Sequence, residues 1–148
     1  VAESVNIGGV VLTKKFLESY RSKKAEIREL QNSLSCTMTS SSMFGNDTIM
    51  DYRSGYPVPQ AVVGVDWDKV DRTERRYMNK IAILEKECEE VERFIDEISD
   101  SLTRRIFRMY FIDNMTQKEI SKIIHVERSN ISKKIDKFLS LEQETADV

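Results

Sequence analysis

Between Tyr77 and Leu102 apolar side chains recur in alternating steps of four and three: Tyr77, Ile81, Leu84, Cys88, Val91, Ile95, Ile98 and Leu102. A strand cannot use that spacing, because its side chains change face at every residue. A helix can. The pattern is a heptad, with Ile81, Cys88, Ile95 and Leu102 at a and Tyr77, Leu84, Val91 and Ile98 at d. It predicts a long coiled-coil helix over 67–99, about 50 Å at 1.5 Å per residue. The glutamates between 85 and 92 fall mostly outside the seam and read as a solvated face. Cys88, at an a position, reads as a small buried apolar residue rather than a reactive thiol.

A second helical stripe precedes it. Thr13 is placed to cap a helix over 12–35, and Phe16, Tyr20, Ile27, Leu30 and Leu34 share one face, which Lys23 interrupts. Between the two helices, 36–66 holds three consecutive serines, three glycines and both prolines. That composition reads as a long linker, disordered or functional. "QAVVGVD" suits a short strand, but no partner strand is evident. Residues 1–11 show no helical period and read as a disordered extension. A new helix is expected to start at Asp100 or Ser101, with Ile106, Phe107, Tyr110 and Phe111 forming the core of a small domain over 100–141. An acidic tail, 142–148, follows. The fold class expected is therefore all-α.

Charge is distributed unevenly. Residues 66–101 carry twelve acidic and seven basic side chains, a balance of −5; 102–141 carry nine basic and four acidic, a balance of +5. A local excess matters more than the total of −2, because screening limits electrostatic reach to about 8–10 Å. Cys36 and Cys88 make a weak case for a disulfide, no leader pattern is evident, and no apolar run has the length of a membrane span. A reduced, cytoplasmic setting is expected. An enzyme is not. The single His, the lack of a Gly-rich phosphate loop, and the lack of metal-spaced His and Cys leave no catalytic, cofactor or metal site to assign.

The basic segment carries a more specific pattern. Thr116 and Glu119 form a T-x-x-E capping box, which starts a helix at Gln117. Ile120, Ile123 and Ile124 give that helix an apolar face, and Ser121 is small where a second helix would cross. His125 stands where the chain must turn in a left-handed conformation, which His tolerates at a small cost. Val126 is expected in the angle between the helices. Ile131 and Ile135 anchor the second helix, with Phe138 and Leu139 continuing their face. Its outer side is then Arg128, Ser129, Asn130, Ser132, Lys133, Lys134 and Lys137. Double-stranded DNA fits such a helix. Arg pairs bidentately with guanine and Asn with adenine, and short Ser side chains let the backbone approach the groove. Lysines on the same helix suit phosphates.

Over "LTRRIFRMYFIDNMTQKEISKIIHVERSNISKKIDKFL" (102–139) the chain resembles region 4 of bacterial sigma factors, the helix-turn-helix that reads the −35 promoter element. Over 12–141 it resembles the small phage and prophage late-operon transcription regulators of the RinA/ArpU type. The resemblance implies that Arg128, Ser129, Asn130, Ser132 and Lys133 face the bases. Thr116, Gln117, Lys118, Lys134 and Lys137 then meet phosphates. The chain departs from the pattern twice. His125 replaces a glycine, and Lys134 stands at an apolar position, with Ile135 packing one residue later. Nothing resembles the core-binding or −10-melting regions of a complete sigma factor.

The function expected is a sequence-specific DNA-binding transcriptional regulator, with the helix near 127–139 in the major groove. Two alternatives stay open: a DNA-recognition subunit for phage genome packaging, and a coiled-coil module acting on RNA polymerase or a sigma factor. A homodimer or higher oligomer is expected through the seam Tyr77, Ile81, Leu84, Cys88, Val91, Ile95 and Ile98. A 33 Å helix folded back on a 50 Å one would leave about 15 Å of stripe bare.

Overall fold

The computed structural model describes residues 4–7, 10–37 and 43–146, with side chains from 13 to 141. Parts of the proposed extension (1–3 and 8–9), linker (38–42) and acidic tail (147–148) lie outside the described residues. The chain is mostly helical, yet it is not all-α: among the described residues one antiparallel strand pair precedes the first helix and another lies between the second and third helices. It divides into two compact units, Val1–Glu26 with Leu84–Val148, and Ile27–Ile83.

In the first unit β1 (Ser4–Ile7) pairs antiparallel with β2 (Val10–Thr13), Ser4 opposite Thr13. The stretch read as a disordered extension thus contains paired strands, and β1 lies against the last helix. The Thr13 hydroxyl accepts from the Phe16 N–H at 3.0 Å and caps α1 (Lys14–Glu18). After Ser19 the chain continues as α2 (Tyr20–Cys36). The helix expected over 12–35 is therefore present with a one-residue interruption. Lys23, which breaks its apolar stripe, has its Nζ 3.6 Å from the Phe16 ring centroid and 3.0 Å from Glu87. Its ammonium group sits between an aromatic face and a carboxylate, so a cation is accommodated there.

The long helix, α3, spans Trp67–Asp96. Its later half belongs to the first unit, where Leu84, Cys88, Val91, Phe94 and Ile95 are buried. Ion pairs Lys23–Glu87 and Lys24–Glu92 (3.3 Å), and the Tyr20 hydroxyl donating to Glu92, fix the start of α2 against it. Burial, followed by that hydrogen bond, pushes the Tyr20 hydroxyl above its ordinary range, and the same bond holds Glu92 below the usual carboxylate range. Burial likewise pushes the Cys88 thiol up, as expected of a residue acting as a small apolar one. Cys88 is a free, buried cysteine.

α3 stops at Asp96, so Ile98 lies beyond its end although it is buried. Asp100 then caps α4 (Ser101–Phe107), accepting from the Thr103 N–H at 3.0 Å. Arg104 donates to the Ile98 carbonyl at 2.6 Å, satisfying an acceptor in the break. α4 runs into a π-helical turn, Arg108–Ile112, a widened turn that the sequence does not announce. Around it Phe107 meets Phe94 (6.3 Å between ring centroids), Phe111 (5.3 Å) and Phe138 (5.3 Å). Asn114, at φ 54°, makes the turn that ends this segment.

The second unit corrects the linker. β3 (Phe44–Asp51) pairs antiparallel with β4 (Val58–Val65), Phe44 opposite Val65 and Asp51 opposite Val58. Of the residues that suggested a linker, Gly55 and Pro57 lie in its loop, Gly45, Pro59 and Gly64 lie in its strands, and the three consecutive serines lie outside the described residues. Gly55 takes φ 87°, with its N–H on the Tyr52 carbonyl at 3.0 Å, and Asp51 holds Arg53 across the start of the loop at 2.6 Å. Pro59 stands in a hairpin whose two strands are both edges, where its missing N–H is tolerated. The strand noted in "QAVVGVD" therefore has its partner in 44–51. In the same unit Ile27, Met43, Val70 and Ile81 are buried.

Candidate nucleic-acid interface

The capping box at Thr116 is complete. The Thr116 hydroxyl accepts from the Glu119 N–H at 3.3 Å, and the Glu119 carboxylate accepts from the Thr116 N–H at 2.7 Å and from its hydroxyl at 2.8 Å. These bonds, the backbone one first, hold Glu119 below the usual carboxylate range. α5 follows as Gln117–Ile124, and His125 closes it at φ 55°, ψ 39°, in the left-handed region. α6 then spans Arg128–Ala146. The helix starts, the turn residue and its conformation all follow from local chemistry.

The packing of this pair departs from expectation at one residue. Ile120 is fully buried, whereas Ile123 is 48% exposed and Ile124 and Val126 are half-buried. The buried face of α5 is thus narrower than three isoleucines. On α6, Ile131, Ile135 and Leu139 are buried and Phe138 is half-buried. Each such side chain contributes about 1.5–3 kcal/mol through removal from water. Ile135 takes the packing position, and the neighbouring Lys134 is half-buried at its flank.

This stripe fixes where the proposed DNA contacts point. At about 100° per residue, Ser129, Asn130, Lys133 and Lys137 fall on the side opposite Ile131, Ile135 and Leu139. All four are exposed. Ser132 and Lys134 flank the stripe and are half-buried. Arg128 lines up with the stripe, but it occupies the first position of α6 and is exposed there, at the helix tip. Gln117 is half-buried and Lys118 exposed at the start of α5. Thr116 is exposed, with its hydroxyl already engaged in the cap.

One contact was not legible in the sequence. Lys14, at the start of α1, lies 2.8 Å from Asp136, the one acidic residue between Arg128 and Leu141. That hydrogen bond raises the lysine's affinity for its proton. Asp136 faces partly outward on α6, and a carboxylate there would repel phosphate. The pair offsets it and leaves the outer side of α6 with a positive excess.

The seam residues are placed differently from the arrangement expected. Ile81, Leu84, Cys88, Val91, Ile95 and Ile98 are buried within the chain, and Tyr77 is half-buried. Within the first unit, the start of α2 is held against α3 by the Lys23–Glu87 and Lys24–Glu92 ion pairs, and Phe94 on α3 meets the Phe107 ring.

The turn residue invites a measurement. His125→Gly is expected to be neutral or mildly stabilising. A non-glycine residue in the left-handed region costs about 1–2 kcal/mol, and the extra freedom of glycine in the unfolded chain returns about 0.4–1 kcal/mol of that. The exposure of His125 gives the imidazole little to lose. A thermal melt decides: a drop of several degrees would reveal a stabilising contact of the ring.

Among the described residues no helix is long and apolar enough to cross a membrane. No protein-family model, curated protein or solved structure matches this chain.

Proposed function

We propose that the protein is a sequence-specific DNA-binding regulator of transcription, of the phage and prophage kind that its sequence resembles. In this reading α6 lies in the major groove of double-stranded DNA. The observation that carries it is the outer side of α6. Ser129, Asn130, Lys133 and Lys137 stand there exposed, Arg128 projects at the tip, and the single acid is paired to Lys14. A major groove admits one α-helix, and recognition helices of this motif contact base edges chiefly through their N-terminal residues. Arg128, Ser129 and Asn130 occupy that first turn. Lys133, Lys137 and Lys118 are suited to phosphates on either side, and Lys134 reaches one from the flank of the buried stripe.

The test is DNA binding across a salt series, using a site selected from random duplexes. With about four phosphates neutralised per helix-turn-helix, log affinity should fall against log salt with a slope of about −3.6 for one copy and −7 for two. A flat response would remove DNA as the ligand and return the coiled-coil module acting on polymerase. Transcription from a promoter bearing the selected site then assigns the task. Binding without any effect on transcription would point to the packaging role.

A further inference from the structure

We infer that the first half of α3 carries a second nucleic-acid contact: a row of cations, centred on Arg72 and Arg76, that binds the phosphate backbone of double-stranded DNA without reading its sequence. These residues belong to the second unit, whereas α6 belongs to the first. The choice of DNA among phosphate polymers rests on the reading of α6; the phosphate contact itself does not.

A surface groove on α3 is lined by Arg72, Arg75, Arg76, Asn79, Lys80 and Ile83, all exposed. At about 100° per residue they occupy a sector of about 140°, and the buried Val70 and Ile81 point the opposite way. Asp71 and Glu74 fall outside that sector, and Asp68 enters it only in the first turn, about 6 Å before Arg72 along the axis. Among the described residues none of the four cations makes an ion pair, although Asp68 and Asp71 stand four positions before Arg72 and Arg75. Arg72, Arg76 and Lys80 instead follow one another at four-residue steps, where like charges repel and weaken a helix. A polyanion laid along the row relieves that repulsion. The Arg76 guanidinium is also placed over the half-buried Tyr77 ring, 5.5 Å from its centroid.

The spacing and the chemistry favour a duplex backbone. From Arg72 to Lys80 the row spans about 12 Å, which faces about three phosphates of one strand at 3.4 Å each along the duplex axis. Three of the four cations are arginines, whose planar forks match phosphate oxygens two at a time. A single strand would ask for aromatic rings on which bases stack, and Trp67 and Tyr77 each lie about 140° from Arg72 around the helix. A membrane surface would ask for a free apolar face to insert, and here Val70 and Ile81 are buried.

The test is binding of the full chain to a random-sequence duplex across a salt series, followed by site selection from random duplexes. Arg72→Gln with Arg76→Gln should make the salt slope shallower by about 1.8, so that the loss of affinity between 50 and 200 mM salt becomes about twelvefold smaller. The selected consensus should stay that of the wild type, because phosphate contacts carry no sequence information. Arg72→Lys with Arg76→Lys should keep the slope, and Arg28→Gln, exposed on α2 in the same unit, should leave it unchanged. If circular dichroism shows that the first pair disturbs the fold, Arg75→Gln with Lys80→Gln replaces it. An unmoved slope with the consensus retained would overturn this inference alone. A shallower slope in a protein that selects no consensus would uphold it and remove the reading of α6. Equal effects of Arg28→Gln and Arg76→Gln would reduce the face to net charge and overturn it. So would tighter binding, lost in the glutamine pair, to phosphatidylserine vesicles or to a polyglutamate peptide than to the duplex.

Discussion

Phe107→Ala is expected to destabilise the unit that carries the helix-turn-helix by about 3–5 kcal/mol. Phe107 is fully buried and is the largest of the side chains that are. It touches three rings from three elements: Phe94 on α3, Phe111 in the π-helical turn, and Phe138 on α6. Truncation would lose the transfer free energy of the ring and leave a cavity that these rings, held on different helices, cannot all close. The edge-on and tilted contacts add about 0.5–1.5 kcal/mol per pair beyond area burial. Typical domains hold only about 5–15 kcal/mol in total, so a large share of the stability is at stake. Thermal unfolding followed by near-ultraviolet circular dichroism should show a fall of roughly 10 °C or more, at about 2–4 °C per kcal/mol for a chain of this size. Ile123→Ala is the control. Its side chain is nearly half exposed, and a change within about 0.5 kcal/mol is expected. Equal effects of the two substitutions would mean that the aromatic cluster does not hold this unit together.

How far the sequence foretells this molecule depends on the range of the forces involved. Thr13, Asp100 and Thr116 each cap a helix as expected, since a cap is settled within three residues. His125 and Asn114 adopt left-handed backbone for reasons equally local. Of the heptad positions, Ile81, Leu84, Cys88, Val91 and Ile95 are buried on α3, Tyr77 is half-buried, and Ile98 and Leu102 lie beyond the helix end. What covers them was not legible, because a periodic stripe states that it will be buried and says nothing about by what. The ion pairs of Lys23 and Lys24 with α3 answer that question, and they join residues more than sixty positions apart.

The hairpin was missed for a different reason. Val58, Val62 and Val63 put apolar groups on both faces of β4, so the period-two alternation that marks a half-buried strand is absent. Gly55 and Pro57 were read as linker where they serve a six-residue loop between eight-residue strands. In the candidate site, the residue types of α6 were legible, and their relative exposure was not. Separating Lys133 from Lys134 requires knowing which isoleucine is buried. Lys14 was invisible as a contributor, since only folding brings it to Asp136, 122 positions away.

On a cognate duplex, Arg128→Ala and Asn130→Ala are each expected to weaken binding by about 1–3 kcal/mol and to relax base preference at one position. Both belong to the first turn of α6, and both are exposed. They reach the groove from different places. Asn130 stands on the outer side of the helix, opposite the buried stripe. Arg128 extends from the tip and relies on its length to reach a base edge. A guanidinium offers two parallel donors to guanine, and a carboxamide offers one donor and one acceptor to adenine, so each substitution removes a bidentate contact. Lysine substitutions should behave differently. Lys137→Ala should weaken binding to all sequences alike and reduce the salt slope by about one, since it removes a phosphate contact and no base contact. Selection from random duplexes separates the two classes. If Arg128→Ala and Asn130→Ala return the wild-type consensus, while Lys133→Ala alters it, the helix reads DNA with its outer middle rather than its first turn. The groove contacts would then pass to Lys133 and Lys137.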